Sequence, residues 1–238
     1  GKDIHVTRCS TYDNQKNLSS NYIDAIIKPF EGTSLGRQEL EGELLMDVEN
    51  ALWNHELLER CRIDEAPELD QVVVGVDPSA SSHKGSARTG IVVAGTSSNK
   101  LGFVLADKSV TGSPQTWAKA VVSAYHWYSA NYVVAEKNQG GDMVAEIIHS
   151  VDPLVPVRLV HASQGKHARA EPVAALYEQG KVYHVGIFAE LEDEMCLMVP
   201  GELKESPDRV DALVWALTHL MVKRRRGIAR AWGRRQAA

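Results

Sequence analysis

The sequence contains few cysteines, and they lie far apart in the chain. Cys9, Cys61 and Cys196 are the three cysteines in 238 residues, and no two of them form a CxxC pair. An odd number of cysteines at this spacing argues against a disulfide framework and indicates a reducing compartment. Zinc bound by cysteine is not expected for the same reason.

Long apolar runs are also missing. No segment approaches the about 20 apolar residues of a membrane-spanning helix, so we expect no membrane contact. The N-terminus shows no apolar core of a signal peptide behind its first charges. Hydrophobic residues make up 44% of the chain and charged residues 24%. This is the composition of a globular protein and excludes a fully disordered chain.

Sequence motifs of several enzyme classes are absent. There is no G-x-x-x-x-G-K-[ST] phosphate-binding loop, so we expect no ATPase site in this chain. There is no G-x-S-x-G elbow, which disfavours a serine hydrolase. The nine histidines form neither an HxH nor an HExxH motif.

Charge is unevenly distributed along the chain. The net charge is -5, but residues 223–238 contain seven basic residues and no acidic one. An acidic body with a basic tail predicts that the tail contacts an anionic partner. A solvated tail that keeps the protein soluble would explain the same pattern.

From residue 72 onward, apolar runs of strand length alternate with helical patterns. The second and third runs are separated by a short turn, which predicts an antiparallel hairpin. Strands are predicted at residues 72–76, 89–94, 101–106, 132–135, 157–160 and 182–185, and helices at residues 113–129, 141–150, 167–179, 188–198 and 206–222. This order predicts an α/β fold with a mixed β-sheet flanked by helices. Residues 1–70 have a predicted helix at 51–58 and a linker at 65–68, and we do not expect them to fold alone.

Two acidic residues directly follow predicted strands. Asp77 comes after the first strand and Glu136 after the fourth. If these strands are adjacent and parallel, both carboxylates lie at one end of the sheet, where ligands bind in open α/β sheets. Clustered carboxylates of this kind suit magnesium or manganese. Alternatively, each acid only caps its strand or the following turn.

The last predicted helix carries two further acids. Asp208 and Asp211 are three residues apart and share a helical face. Both lie near the helix start, where the helix dipole favours negative charge, and this is an alternative explanation for Asp208. Asp211 is embedded in apolar residues, so its carboxylate is expected to need a buried partner. A metal ion shared with Asp77 and Glu136 would be such a partner.

Two strand acids and a helix acid in this order resemble the ribonuclease H-like nucleases. Residues 75–78, 89–93, 135–136 and 208–213 resemble the core of a RuvC-type Holliday-junction resolvase. The resemblance to the nuclease domain of the large terminase subunit of tailed bacteriophages extends through almost the whole chain. It includes residues 7–14, 32–43, 169–180 and 206–217. Each motif alone is weak evidence for this family, and the resemblance rests on the order and spacing of all of them together.

The terminase resemblance implies a ribonuclease H-like fold with helices on both faces of a mixed sheet. It also implies a domain organisation. Residues 1–70 would be the end of a motor (ATPase) domain and a linker, residues 71–222 the nuclease domain, and residues 223–238 a basic tail. The chain would then be the C-terminal part of a large subunit.

The implied function is a Mg²⁺- or Mn²⁺-dependent endonuclease that cuts concatemeric phage DNA during genome packaging. Asp77, Glu136 and Asp211 would bind two divalent ions, with Asp208 as a fourth ligand, for metal-assisted phosphodiester hydrolysis. Implied partners are double-stranded DNA, the phage portal, the small terminase subunit and the ATPase domain of the same subunit. The expected location is the host cytoplasm, with no retention in the mature virion. The alternatives are a junction resolvase and a non-catalytic module that docks on DNA or on the portal.

Basic residues near these acids are candidates for DNA binding. Lys166 and Arg169 lie at a predicted helix start, where backbone N–H groups also favour phosphate, and the family motif includes basic residues there. Lys84 and Arg88 lie around the loop after the first strand, and Lys137 follows the second strand acid. Each of the five could instead be a solvated surface charge.

Other side chains that could bind ligands are expected to be structural. Trp117, Trp127 and Trp215 lie in apolar helical patterns, so we expect them in the core rather than stacked on bases. His219 is expected to be packed or on the surface rather than a metal ligand.

Overall fold

The structure is a computed structural model, and it describes most of the chain from residue 47 to residue 222. The described residues are 10–20, 36–37, 40–41, 47–78, 88–137, 143–162, 164–199 and 207–222. Within these ranges, no helix has both the length and the apolar character to cross a bilayer.

A mixed β-sheet forms the centre of the protein. Its strands are β1 (Arg62–Ile63), β2 (Gln71–Asp77), β3 (Arg88–Thr96), β4 (Gly102–Asp107), β5 (Val110–Thr111), β6 (Tyr132–Glu136), β7 (Val157–Val160) and β8 (Val182–Val185). They are arranged in the order β1-β8-β4-β3-β2-β6-β7, and β5 pairs with β3. The β2–β3 and β3–β4 pairs are antiparallel, whereas β2–β6, β6–β7, β4–β8 and β1–β8 are parallel. The predicted hairpin and mixed sheet are therefore confirmed.

Helices cover both faces of this sheet, as predicted. They are α1 (His55–Arg60), α2 (Pro114–Trp127), α3 (Met143–Val151), α4 (Lys166–Glu178), α5 (Ala189–Cys196) and α6 (Asp208–Leu217), and a π-helical segment, Thr218–Val222, follows α6. A short 3-10 helix spans Thr11–Asn17. One apolar cluster joins the sheet to α2 and α3, and the other joins it to α1 and α4–α6.

The central strands are continuous apolar runs because both of their faces are buried. In β2, Val73 belongs to one apolar cluster and Val74 to the other, since successive side chains of a strand point to opposite faces. The same division separates Val133 from Val134 in β6. A strand that is covered on one face only would instead alternate apolar and polar residues.

Some local predictions differ from the structure. The helix predicted at residues 51–58 is α1, His55–Arg60, which begins later because the Asn54 side chain accepts a hydrogen bond from Leu57 N at 2.8 Å. The two-residue strands β1 and β5 are too short to leave a sequence pattern. Trp127 is 79% exposed, so its predicted core position is wrong. Trp127 lies outside the buried stripe of α2. Trp117 lies within that stripe, so its predicted core position is confirmed.

Residues immediately before β2 pack against the sheet. Trp53, Leu57, Leu58 and Cys61 belong to the same apolar cluster as α4–α6, and β1 extends the sheet beyond β8. The boundary at residue 70, and the assignment of the earlier residues to a motor domain, remain predictions. The basic tail, residues 223–238, lies outside the described residues.

A buried polar network connects α5 to β1 and β8. The Glu192 carboxylate accepts hydrogen bonds from Arg62 at 2.9 and 3.0 Å and lies 2.9 Å from His184 Nδ1. The other ring nitrogen of His184 lies 2.8 Å from the Tyr177 hydroxyl. Burial alone would raise the pKa of Glu192, but the hydrogen bonds from His184 and Arg62 outweigh it and lower the pKa from 4.5 to about 2.

We expect Glu192→Gln to lower the free energy of unfolding by about 3 kcal/mol at pH 7, because it leaves the buried His184 without its anion and the partly buried Arg62 with Glu59 alone. The folded pKa of Glu192 is depressed, so its contribution is complete above pH 4.5 and is lost as the pH falls towards 2. The difference between parent and variant should therefore shrink in that acid range. Urea unfolding at several pH values measures it. The exposed Glu178→Gln is the matched control, and a difference that grows in acid would contradict the prediction.

Candidate active site

The two strand acids lie side by side at one end of the sheet. The strands β2 and β6 are parallel, with Val76 opposite Ala135, so the next residues, Asp77 and Glu136, are neighbours at the carboxyl ends. Asp77 is buried and Glu136 is partly buried. The adjacent parallel strands that the prediction required are present.

Two glycines allow α6 to approach this part of the sheet closely. A Cβ atom at Gly75 of β2 would lie 2.2 Å from the Ala212 backbone oxygen, and one at Gly90 of β3 would lie 1.8 Å from the Asp208 backbone oxygen. Real Cβ atoms do not approach this closely, so only glycine fits these two positions. The first turn of α6 therefore lies against the strand ends and brings Asp208 and Asp211 to the strand acids.

Basic and aromatic side chains surround these four acids, which we call the acid cluster (Asp77, Glu136, Asp208 and Asp211). The Lys166 ammonium contacts Asp211 directly. Arg169 lies 3.4 Å from a Glu136 oxygen and 3.7 Å from an Asp211 oxygen. Trp215 Nε1 donates to Glu136 at 3.1 Å, and the Arg169 guanidinium lies over the Trp215 ring at 4.3 Å.

The acid cluster concentrates negative charge in a buried position. Burial, followed by repulsion from Asp211, raises the pKa of Asp77 well above its ordinary value. Glu136 and Asp208 act in the same direction, and Lys166 opposes them. Burial also raises the pKa of Asp211, although Lys166 and Arg169 counteract it. Additional positive charge is what would allow all four carboxylates to ionise.

Two arginines fix the start of α6. Arg209, which is buried, contacts Asp107 at 2.8 Å, Glu194 at 3.1 Å, and Glu190. Arg88 contacts Glu194 at 2.6 Å and lies 3.9 Å from an Asp208 oxygen. The first turn of α6 is thereby connected to β4 and α5, in addition to its contact with the sheet.

Of the five candidate DNA-binding residues, the structure brings Lys166 and Arg169 into the acid cluster itself. Arg88 lies at its edge, beside Asp208. Lys137 follows Glu136, and its backbone N–H donates to Val160 O at 2.8 Å. Lys84 lies outside the described residues. Binding of DNA by these residues, and catalysis and metal binding by the four acids, remain predictions.

Sequence reasoning missed several residues that the structure places at or near the cluster. Trp215 was expected only as a core residue; it is buried, but its indole N–H also holds Glu136. Arg209 was not singled out, although it lies between the two helix acids in the sequence. The sequence could not indicate the role of Arg209, because its partners Asp107 and Glu194 are distant in the chain and meet it only in the folded structure.

A second group of possible metal ligands lies elsewhere in the fold. Asp47, His55 and Cys196 each have a donor atom within 4.8 Å of the others, and within the described ranges no other group of three acidic, histidine or cysteine residues is this compact. The acid cluster is therefore more open, with its carboxylates turned towards Lys166, Arg169 and Arg88.

The sheet order, the helices on both faces and the position of the acids define a ribonuclease H-like fold. A family model described as the terminase RNaseH-like domain matches residues 74–220. Because this match covers more than half of the chain, the chain belongs to that family. A comparison with curated protein sequences finds no match.

Solved structures share the fold at low sequence identity. The large terminase nuclease from thermophilic phage G20c is 15% identical, with a TM-score of 0.51 over 71% of this chain and 98% of that chain. A cobalt-bound structure of that nuclease is 13% identical, with a TM-score of 0.51 over 72% of this chain and 98% of that chain. The HK97 bacteriophage large terminase is 11% identical, with a TM-score of 0.56 over 88% of this chain and 49% of that chain. This chain therefore spans about half the length of the HK97 protein.

We expect Gly90→Ala to destabilise the fold by about 3 kcal/mol, the upper part of the range for overpacked cores, because the added methyl group meets the Asp208 backbone. Urea unfolding at neutral pH measures the effect. Gly165→Ala is the matched control, since a Cβ atom there has open space within 4 Å and Gly165 has an ordinary φ of -61°. Equal stability of the two variants would contradict the close approach of α6.

Proposed function

We propose that this chain is a metal-dependent DNA endonuclease that cuts concatemeric phage DNA during genome packaging. The proposal rests on one observation: the acid cluster brings two strand acids and two helix acids together beside basic side chains. The chain that carries this cluster belongs to the terminase nuclease family. Hydrolysis of phosphodiesters is the chemistry that this combination supports best.

The donor set fits hard divalent cations such as Mg²⁺ or Mn²⁺. Four carboxylates supply the oxygen ligands that these ions prefer. Lys166 now provides positive charge next to Asp211, which is the kind of position a cation would take. Binding of ions would require Lys166 to move away from Asp211 and the four carboxylates to move closer to one another. The cobalt-bound G20c nuclease is an independent reason to test divalent ions here.

Asp77, Glu136 and Asp211 would hold two ions, with Asp208 as a fourth ligand. Bound ions supply a more acidic water and stabilisation of the leaving 3′ oxygen. Trp215 fixes the orientation of Glu136 through its indole N–H. Gly75 and Gly90 keep Asp208 and Asp211 at the strand ends. The four carboxyl groups are thus held in position before substrate arrives.

Lys166 and Arg169 would bind the DNA phosphates. Both lie in the first turn of α4, where free backbone N–H groups also favour phosphate. Arg169 has its guanidinium plane supported by the Trp215 ring, which orients its N–H groups. Lys166, which contacts Asp211, could turn to the substrate if bound ions were to offset the charge of Asp211. Phosphate contacts of this kind imply binding that weakens with salt and has little sequence preference.

The packaging role rests on the family and on the length of the relatives. This chain corresponds to about half of the HK97 large terminase, which supports a larger subunit with an ATPase domain. Partners in this role would be double-stranded DNA, the portal and the small terminase subunit, in the host cytoplasm.

We expect the purified chain to nick or linearise plasmid DNA with Mn²⁺ or Mg²⁺. Asp77→Asn and Asp211→Asn should each lower the rate by about 100-fold or more, because each removes a charge on which the reaction depends. The exposed Asp64→Asn is the matched control and should cut as the parent does. Gel analysis of plasmid forms over time measures the rates.

Cleavage by Asp77→Asn at the parental rate would contradict the assignment of the site. The same assay includes a four-way junction and a linear duplex of equal length. A strong preference for the junction would favour the resolvase alternative. Absence of both cleavage and metal binding would favour a docking module.

We expect Mn²⁺ to raise the thermal unfolding midpoint of the parent but not of Asp77→Asn. An ion at about 100 times its dissociation constant adds about 2.7 kcal/mol to stability. In chelator, the variant should be at least as stable as the parent, since the amide removes the repulsion with Asp211. Scanning calorimetry with and without Mn²⁺ measures both effects. Equal stabilisation of parent and variant would show that Mn²⁺ binds elsewhere.

A further inference from the structure

Two distant segments of the chain meet on the side of α5 that carries Asp193 and Cys196. One segment contains Asp47 and His55, and His55 is the first residue of α1. Asp193 and Cys196 are three residues apart in α5, so they share a face of that helix. The segments are also connected by the backbone, since Leu52 N donates to Met198 O at 3.0 Å.

Asp47 contacts His55 at two points, the backbone and the imidazole ring. Its Oδ1 atom accepts from the His55 backbone N–H at 3.0 Å and lies 2.7 Å from Nδ1 of the ring. A carboxylate in this position orients a histidine ring in the way that is common beside bound metal ions. The side chain of His55 is 13% exposed, so the ring is held below the surface.

The other ring nitrogen of His55 faces the α5 residues. Nε2 is buried, and no atom of the described residues makes a hydrogen bond with it. It lies 3.5 Å from an Asp193 oxygen. Cys196 is 1% exposed and has a free thiol. Its sulfur lies within 4.8 Å of the donor atoms of both Asp47 and His55.

We propose that this group is a zinc site, with Nε2 of His55, Cys196 and Asp193 as ligands and with Asp47 orienting the imidazole through Nδ1. A thiolate, an imidazole and a carboxylate form a donor set that suits Zn²⁺ and not the hard ions expected at the acid cluster. Arg37 contacts both oxygens of Asp193 at 2.8 and 2.9 Å and would orient that carboxylate. Binding of zinc would release protons from the thiol and the imidazole to solvent.

A zinc ion here would fasten the segment before β2 to α5. The ligands come from parts of the chain that are far apart in sequence, so the ion would close a long loop. The Glu194 carboxylate of α5 forms ion pairs with Arg88 and Arg209, and these two arginines fix the start of α6. The site would therefore support the helix that borders the acid cluster without taking part in its chemistry. This proposal does not depend on the nuclease function.

Cobalt titration of the metal-free full chain tests the site, because only a thiolate ligand gives an intense sulfur-to-cobalt charge-transfer absorption. We expect this absorption to saturate at one ion per chain and to disappear when zinc is added. Cys196→Ser should remove it. Cys61→Ser is the matched control, since Cys61 is also a buried free cysteine but its sulfur contacts the Tyr177 carbonyl oxygen at 3.8 Å. Cys9→Ser tests the third cysteine and should retain the absorption.

Two further variants separate this site from the acid cluster. Asp77→Asn should retain the charge-transfer absorption, and Asp47→Asn should weaken zinc binding by about 10- to 100-fold in competition with a chelator. Circular dichroism verifies that each variant is folded. Absence of the absorption in the parent, or its persistence in folded Cys196→Ser, would overturn the proposal. If Cys196→Ser does not fold, the presence or absence of the charge-transfer absorption in the parent decides whether the proposal stands.

Discussion

Mutual repulsion of carboxylates at the ends of β2 and β6 is the constraint on which the rest of the site depends. Asp77 and Asp211 are nearly excluded from water, and burial together with repulsion from Asp211 raises the pKa of Asp77. Lys166 and Arg169 supply the opposite charge beside Asp211. Unpaired charge at this depth is costly, so each of these carboxyl groups is either protonated or paired with a cation.

Packing of α6 against the sheet, and not electrostatic attraction, keeps the four carboxyl groups together. The contact between α6 and the sheet at Gly75 and Gly90 is steric, and it persists whatever the protonation state of the acids. Arg209 adds an electrostatic connection to β4 and α5 from the same helix turn. The proposed binding of ions in place of Lys166 would require such a rigid support, because the carboxylates repel each other.

Helix α5 participates in three separate polar contacts on different faces. Glu192 faces the buried His184 and Arg62, Glu194 faces Arg88 and Arg209, and Asp193 faces His55 and Arg37. Its short length and acidic sequence gave no indication of this role. The expectation that cysteine would not bind zinc rested on spacing within the sequence. The proposed zinc site would revise it, since His55 comes from a segment more than a hundred residues before Cys196.

The sequence by itself determined the six longer strands, most helices and the mixed sheet, and it singled out the four acids that converge, because apolar runs and strand-end carboxylates are local patterns. Local patterns also suggested Lys166 and Arg169 as basic residues near the site. The tertiary structure alone decided that these two residues contact the acids, that Trp215 holds Glu136, and that Asp47, His55 and Cys196 meet. It also decided that Trp127 is exposed while Trp117 is not. The reason is physical: each of these facts depends on which elements pack against each other and at what distance. For α6, that distance is set by Gly75 and Gly90, whose contacts are remote in sequence.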